Sequence, residues 1–235
     1  NISSDPKFGI GNWSDEDFIK AVKRGISPKN QYYYPAFPFS AYTKLTDSDV
    51  LAIRAYLNTL APQAVASKPH EVSFPLNQRK LMFFWRKLNF KQKFLTAGEK
   101  RTFKYQGEFR PKALRNENWN RGAYLAEAAF HCTECHTPRN KLGGLKTGQW
   151  MAGAVYGEKE IAGNITPHPE AGLGKWSAED WDLFLSTGET PDGGEVSGEM
   201  YRVIRNGTSK LTDEDRADLI EYLQNLKSVN RKMEK

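Results

Sequence analysis

Cysteine is almost missing from this chain: its 235 residues include two, Cys132 and Cys135. So few thiols exclude the disulfide framework that staples small secreted domains. Long apolar stretches are missing too. No run of eighteen apolar residues occurs, so no segment reads as a membrane-spanning helix. The longest such cluster, Leu81-Met82-Phe83-Phe84-Trp85, is short and flanked by Lys80 and Arg86, and is expected to pack between domains rather than to anchor the chain on a membrane surface. No signal peptide is visible and the first residue is not methionine, so a processed or incomplete chain is expected. Acid is in deficit, with 28 Asp and Glu against 34 Lys and Arg, a net charge of +6. No nucleic-acid motif accompanies that charge, which excludes the usual reason for a basic chain.

What is present is concentrated. The two cysteines stand in Cys132-Thr133-Glu134-Cys135-His136, and C-x-x-C-H is the attachment signature of a c-type haem. The spacing suits the chemistry. Two thiols three positions apart reach one edge of a porphyrin as thioether links, and the histidine that follows turns under the ring to face the iron. The competing readings are a thioredoxin-type redox pair, half of a zinc site, or two structural cysteines. Zinc needs further closely spaced ligands, and His70, His131 and His168 supply no pair.

An iron that only passes electrons takes a sixth ligand, commonly methionine. Met82, Met151, Met200 and Met233 are available. Met233 lies in a charged tail, Met82 in an aromatic run expected to be buried, and Met151 suits core packing. Met200 follows the Gly-rich run Gly193 to Glu199 before the last helix, and it is the expected ligand, against the plain alternative of core packing. Trp176 and Tyr201 either pack on the macrocycle or fill core. Asn164 and Thr166 either bind propionates or cap a turn.

The chain also repeats itself. Asn1-Ile2, Gly9-Ile10-Gly11-Asn12-Trp13-Ser14 and Asp17-Phe18 recur 163 positions later as Asn164-Ile165, Gly172-Leu173-Gly174-Lys175-Trp176-Ser177 and Asp180-Trp181. Lys44-Leu45-Thr46-Asp47 recurs 166 positions later as Lys210-Leu211-Thr212-Asp213, so the second copy carries three extra residues. Two homologous domains are implied, and the first begins in its middle. Phe37 stands opposite Met200 and cannot ligate iron. The counterpart of Cys132 to His136 would lie upstream of Asn1, and a missing segment bearing it is the favoured expectation over a remnant without cofactor.

These residues resemble the multihaem cytochrome c subunits that accompany bacterial membrane-bound alcohol, aldehyde and sugar dehydrogenases. The resemblance spans nearly the whole chain. It rests on Gly9 to Asp17, Tyr34-Pro35-Ala36-Phe37-Pro38, Phe74 to Arg79, Trp119 to Leu125, His131 to Asn140 and Asn164 to Pro167. It implies class I cytochrome c folds, covalent haem c, His136 and Met200 as iron ligands, and electron transfer between a dehydrogenase and a respiratory acceptor. It also implies an N-terminal haem domain, whose methionine position here is Phe37, and a terminal helix that crosses at Gly122 near Tyr222.

The expected architecture is all-α, with two class I cytochrome c-like domains in tandem. Residues 1–61 form the later part of the first domain, 62–116 a connector wrapping both, 117–228 a complete haem domain and 229–235 a charged tail. Ser14, Thr46, Ser177 and Thr212, each with Asp three residues on, resemble capping boxes opening helices. Leu219, Tyr222, Leu223 and Leu226 share one helical face. The basic stretch from Arg79 to Arg115 is either a solvated face or a docking surface for an acidic redox partner or lipid headgroups. Covalent haem attachment follows export, so the expected location is periplasmic, either free or membrane-associated. Alternatives to an electron carrier are a haem enzyme with an open iron in an upstream domain, or a subunit that only docks a dehydrogenase.

Overall fold

The computed structural model describes residues 1–90, 116–156 and 160–233. The chain divides into two compact units, Asn1–Ala97 and Gly98–Lys235.

Among the described residues of the first unit the α-helices are α1 (Asp15–Arg24), α2 (Phe39–Tyr42), α3 (Asp47–Thr59) and α4 (Met82–Asn89). Helix α1 starts where the Ser14 hydroxyl accepts from the Asp17 backbone N–H, and ends at Gly25, whose positive φ of 58° suits a residue without Cβ. The Gly25 site has no room for more, since a Cβ there would meet the Phe39 ring at 2.4 Å. Phe39, Val50, Phe18 and Ile10 make the core.

Part of the expected connector belongs to this unit. Helix α4 buries Met82 and sets Trp85 edge-on to Phe39, with ring centroids 6.2 Å apart, while Phe90 reaches Phe39 at 5.0 Å. Arg79 donates to the Tyr32 carbonyl at 2.9 Å. Within the aromatic run, Met82 and Trp85 thus pack on the first unit's own core, whereas Leu81, Phe83 and Phe84 are exposed. Residues 91–115 of the expected connector lie outside the described residues.

In the second unit α5 (Glu117–Tyr124) continues through a π-turn, Leu125–Ala129, into α6 (Cys132–His136); α7 (Ala178–Thr187), α8 (Gly198–Asn206) and α9 (Asp213–Gln224) follow. Helices α5 and α9 cross in close contact. Gly122 makes this possible, because a Cβ there would lie 1.9 Å from the Asp218 carbonyl oxygen. Arg121 locks the crossing by a two-pronged ion pair to Asp215, at 2.8 and 2.7 Å. Beneath it the Trp119 and Tyr222 rings meet edge to face at 5.0 Å, and Tyr222 donates its hydroxyl proton to the fully buried Glu127.

The all-α expectation needs one correction. Strands β1 (Ala154–Tyr156) and β2 (Glu160–Ala162) form an antiparallel hairpin, with Val155 opposite Ile161. Strands of three residues leave no measurable alternation in a sequence, so periodicity could not reveal them. All four expected caps form, through Ser14, Thr46, Ser177 and Thr212, but the reciprocal box closes at Ser177, where Asp180 also accepts from the Ser177 N–H at 2.9 Å.

The repeat is visible bond by bond. Asn1 donates to the carbonyls of Gln63 and Val65, as Asn164 does to those of Val229 and Arg231. Gln63 N–H reaches Ser3 Oγ at 2.9 Å, and Val229 N–H reaches Thr166 Oγ1 at 3.2 Å. Ile26 pairs with Tyr32 as Glu189 pairs with Glu195, both in antiparallel sense. Residues 229–233, expected as a charged tail, are therefore stitched to the second unit at Asn164 and Thr166.

Candidate functional site

His131 separates the π-turn from α6. Its φ of 41° is left-handed, which stops the helix and starts a single new turn. That turn carries Cys132 and Cys135 on one face, three residues apart, and ends in His136. The Gly163 carbonyl, brought round by the β-hairpin, accepts from His136 Nδ1 at 2.8 Å. A carbonyl can only accept, so the proton sits on Nδ1 and the lone pair on Nε2, the arrangement in which a histidine binds a metal.

Cys132, Cys135 and His136 line one wall of a cavity of about 490 Å³, within the range of sites for small molecules and cofactors. Met200 of α8 lines the same cavity. All four expected site residues are thus brought together. Elsewhere the lining is largely aromatic and aliphatic, with Trp176, Trp181, Phe184 and Leu185 from α7 and the loop before it, and Leu219 and Leu223 from α9. The Trp176 ring meets Trp181 and Phe184, each at 5.2 Å.

Some expected roles shift. Trp176 lines the cavity, whereas Tyr201 is outside its lining and largely exposed. Asn164 lines the cavity, yet its amide is committed to Val229 and Arg231, and its Oδ1 accepts from both the backbone and the hydroxyl of Thr166. Of the two readings for this pair, the turn-holding one matches the bonds seen. Met151 is fully buried core, with its N–H bonded to Thr137 Oγ1 at 3.0 Å. The roles of Gly163, through its carbonyl, and of His131, through its backbone angle, were not read from the sequence. A glycine acting through its carbonyl, and a backbone angle at a histidine, leave no side-chain pattern to find.

The electrostatics argue against the other thiol chemistries. Burial pushes the Cys132 thiol up to about 12, and raises Cys135 as well, the reverse of a reactive thiolate. Among the described residues no three His, Cys, Asp or Glu side chains gather to hold a metal ion, so a zinc cage is not formed. Burial also lowers His136, keeping the imidazole neutral and able to donate its lone pair. An apolar chamber with two thiols, one neutral imidazole and one thioether fits a haem bound through carbon links and two soft or borderline iron ligands.

Relatives agree with that fit. A "Diheme cytochrome c-type" protein of Cereibacter sphaeroides is 40% identical over 230 residues, covering 97% of this chain and 71% of that protein. The chain belongs to the cytochrome c family. The family's Cytochrome c model matches residues 120–227, which hold both the attachment motif and Met200. The "Fructose dehydrogenase cytochrome subunit" of Gluconobacter japonicus is 34% identical over 96% of the chain, which spans 44% of that relative. The "Alcohol dehydrogenase (quinone), cytochrome c subunit" of Gluconobacter oxydans is 32% identical over 97%, spanning 46% of it. The chain thus spans less than half of these two. Covalent haem c is the cofactor of this cytochrome c domain.

Proposed function

We propose that this chain is the electron-transferring part of a c-type cytochrome that serves a dehydrogenase complex, with no substrate chemistry of its own. The observation that carries it is the apolar cavity shared by Cys132, Cys135, His136 and Met200. Cys132 and Cys135 would hold the haem, and His136 and Met200 would supply its iron ligands. The haem supplies a one-electron ferric/ferrous couple. The protein supplies rigidity. Gly163 orients His136, α8 carries Met200, and the aromatic wall keeps water out so that little rearranges when charge changes.

The reading extends to the first unit. Its matching hydrogen bonds support a second, tandem cytochrome c-like domain whose attachment motif lies upstream, in line with the diheme relative. The donor is then a dehydrogenase subunit and the acceptor a respiratory cytochrome or oxidase, at the periplasmic face of the membrane. Among the described residues no helix is long and apolar enough to cross a membrane. Denatured mass and haem absorbance of the full native protein test the core of this. Covalent haem that Cys132→Ser with Cys135→Ser removes from the second domain is the expected result, together with reduction by a copurified dehydrogenase and its substrate. A haem-free chain would overturn the reading.

A further inference from the structure

The two copies share an apolar face but differ at the position of Met200. Leu173, Trp176, Trp181, Leu185, Leu219 and Leu223 of the cavity correspond to Ile10, Trp13, Phe18, Val22, Ile53 and Leu57. All six counterparts are apolar; four of them differ, and two of those four, Ile10 for Leu173 and Ile53 for Leu219, preserve bulk. The first copy therefore keeps apolar residues at these positions. It does not fit the iron's sixth ligand.

The register at that point is set by backbone bonds, not by sequence matching alone. Tyr33 N–H donates to the Gly25 carbonyl at 2.8 Å, and Val196 N–H to the Gly188 carbonyl at 2.9 Å, in equivalent loops closed by the bridges Ile26 to Tyr32 and Glu189 to Glu195. Four residues beyond each of these donors stand Phe37 and Met200. Phe37 is held in a tight turn by its N–H to the Tyr34 carbonyl at 3.1 Å, with its ring edge-on to Tyr33 at 5.9 Å and to Tyr42 at 5.6 Å. A phenyl ring has no lone pair to give iron. The first unit's one methionine, Met82, is buried in α4, and its one histidine, His70, is exposed and edge-on to Tyr34 at 5.4 Å.

We propose that the haem of the first domain has no methionine ligand, and that its iron binds a small uncharged π-acceptor ligand on the Phe37 side. This rests on the reading that a first haem exists. The ligand gives its lone pair to ferrous iron and no electron is transferred, so the site is a binding site added to an electron carrier. Tyr33 and Tyr42 pack edge-on to Phe37, so the rings on that side offer no charge to a ligand.

The test uses the full native protein, reduced with dithionite, and carbon monoxide as the probe. Haem per chain is counted first from denatured mass. Two or more haems with uptake of about one carbon monoxide per chain, and an axial high-spin ferric signal in the resting protein, are the expected results. Phe37→Met is expected to weaken uptake about tenfold or more, because a bound thioether leaves the open form a minor population. Met200→Ala is expected to add a second uptake site and so calibrates the measurement. A single haem per chain would remove both this proposal and the reading it rests on. Two haems with no uptake would overturn the proposal alone. So would uptake that appears only in His70→Ala, which would make His70 the sixth ligand. The resting signal and the wild-type titration decide the matter even where Phe37→Met fails to fold.

Discussion

The same residue plays opposite parts in the two copies. Tyr222 on α9 is 0% exposed, wedged against Trp119 and bonded to Glu127, whereas Tyr56, its counterpart 166 positions earlier on α3, is 65% exposed. Ile53 and Leu60 are exposed as well, while their counterparts Leu219 and Leu226 are buried. The helices themselves are alike, with a threonine cap and acidic first turn in each. What differs is the covering element. In the second unit α5 lies on this face, admitted by Gly122, and the face becomes core. In the first unit the described residues offer no such helix. Amphipathic pattern alone therefore does not say that a face is buried; it says that the face can be.

Breaking the attachment residues should have the largest effect. Cys132→Ser with Cys135→Ser is expected to lower the denatured mass by one haem, and His136→Ala to abolish the low-spin spectrum of the second domain. Next comes the helix crossing. Gly122→Leu would force side-chain carbon into the Asp218 carbonyl, and a cost above about 4 kcal/mol in urea titration is expected. Tyr222→Ala should cost about 3 to 5 kcal/mol, as removal of a large buried aromatic does. Tyr56→Ala sharpens the comparison. In the full protein a loss approaching that of Tyr222→Ala is expected if an upstream helix covers α3, and a change within about 0.5 kcal/mol would show the face to be solvent-exposed.

Smaller effects separate the copies further. Asp180 closes a reciprocal cap with Ser177, so Asp180→Ala is expected to cost about 1 kcal/mol in thermal melts. Asp17, beside the single-sided cap of Ser14, should cost only a few tenths of a kcal/mol, or about a third of that. The smallest effect is on pH. Burial lowers His131 below its ordinary value of 6.5, so between the two values the unfolded chain binds more protons than the folded one. Stability of the second unit should then rise with pH through that window and be lost as pH falls below about 6.5. His131→Asn, which keeps a side chain tolerant of left-handed backbone, should flatten this slope in melts compared at about pH 5 and about pH 7.5.

Much of this protein was legible as a string. The pentapeptide from Cys132 to His136 names its chemistry because two thioether links and a ligand impose a fixed spacing. Gly9 with Gly172 and Asn1 with Asn164 revealed the repeat because both positions are constrained by backbone. A Cβ at either glycine would lie 2.2 Å from a carbonyl oxygen, and both asparagines bridge distant carbonyls. The four helix starts were legible because capping is local. Met200 could be singled out only by elimination, since a thioether that binds iron and one that fills a gap look alike in sequence.

Local chemistry, written in neighbouring residues, thus determined the haem motif, the caps and the repeat. Tertiary structure alone decided the rest. It placed the Gly163 carbonyl on His136, packed Met82, Trp85 and Phe90 on the first unit's core, tied residues 229–231 to Asn164, and made Tyr222 core while leaving Tyr56 in water. Each of these depends on groups far apart in the chain meeting at one distance, and no pattern of neighbours records whether they meet.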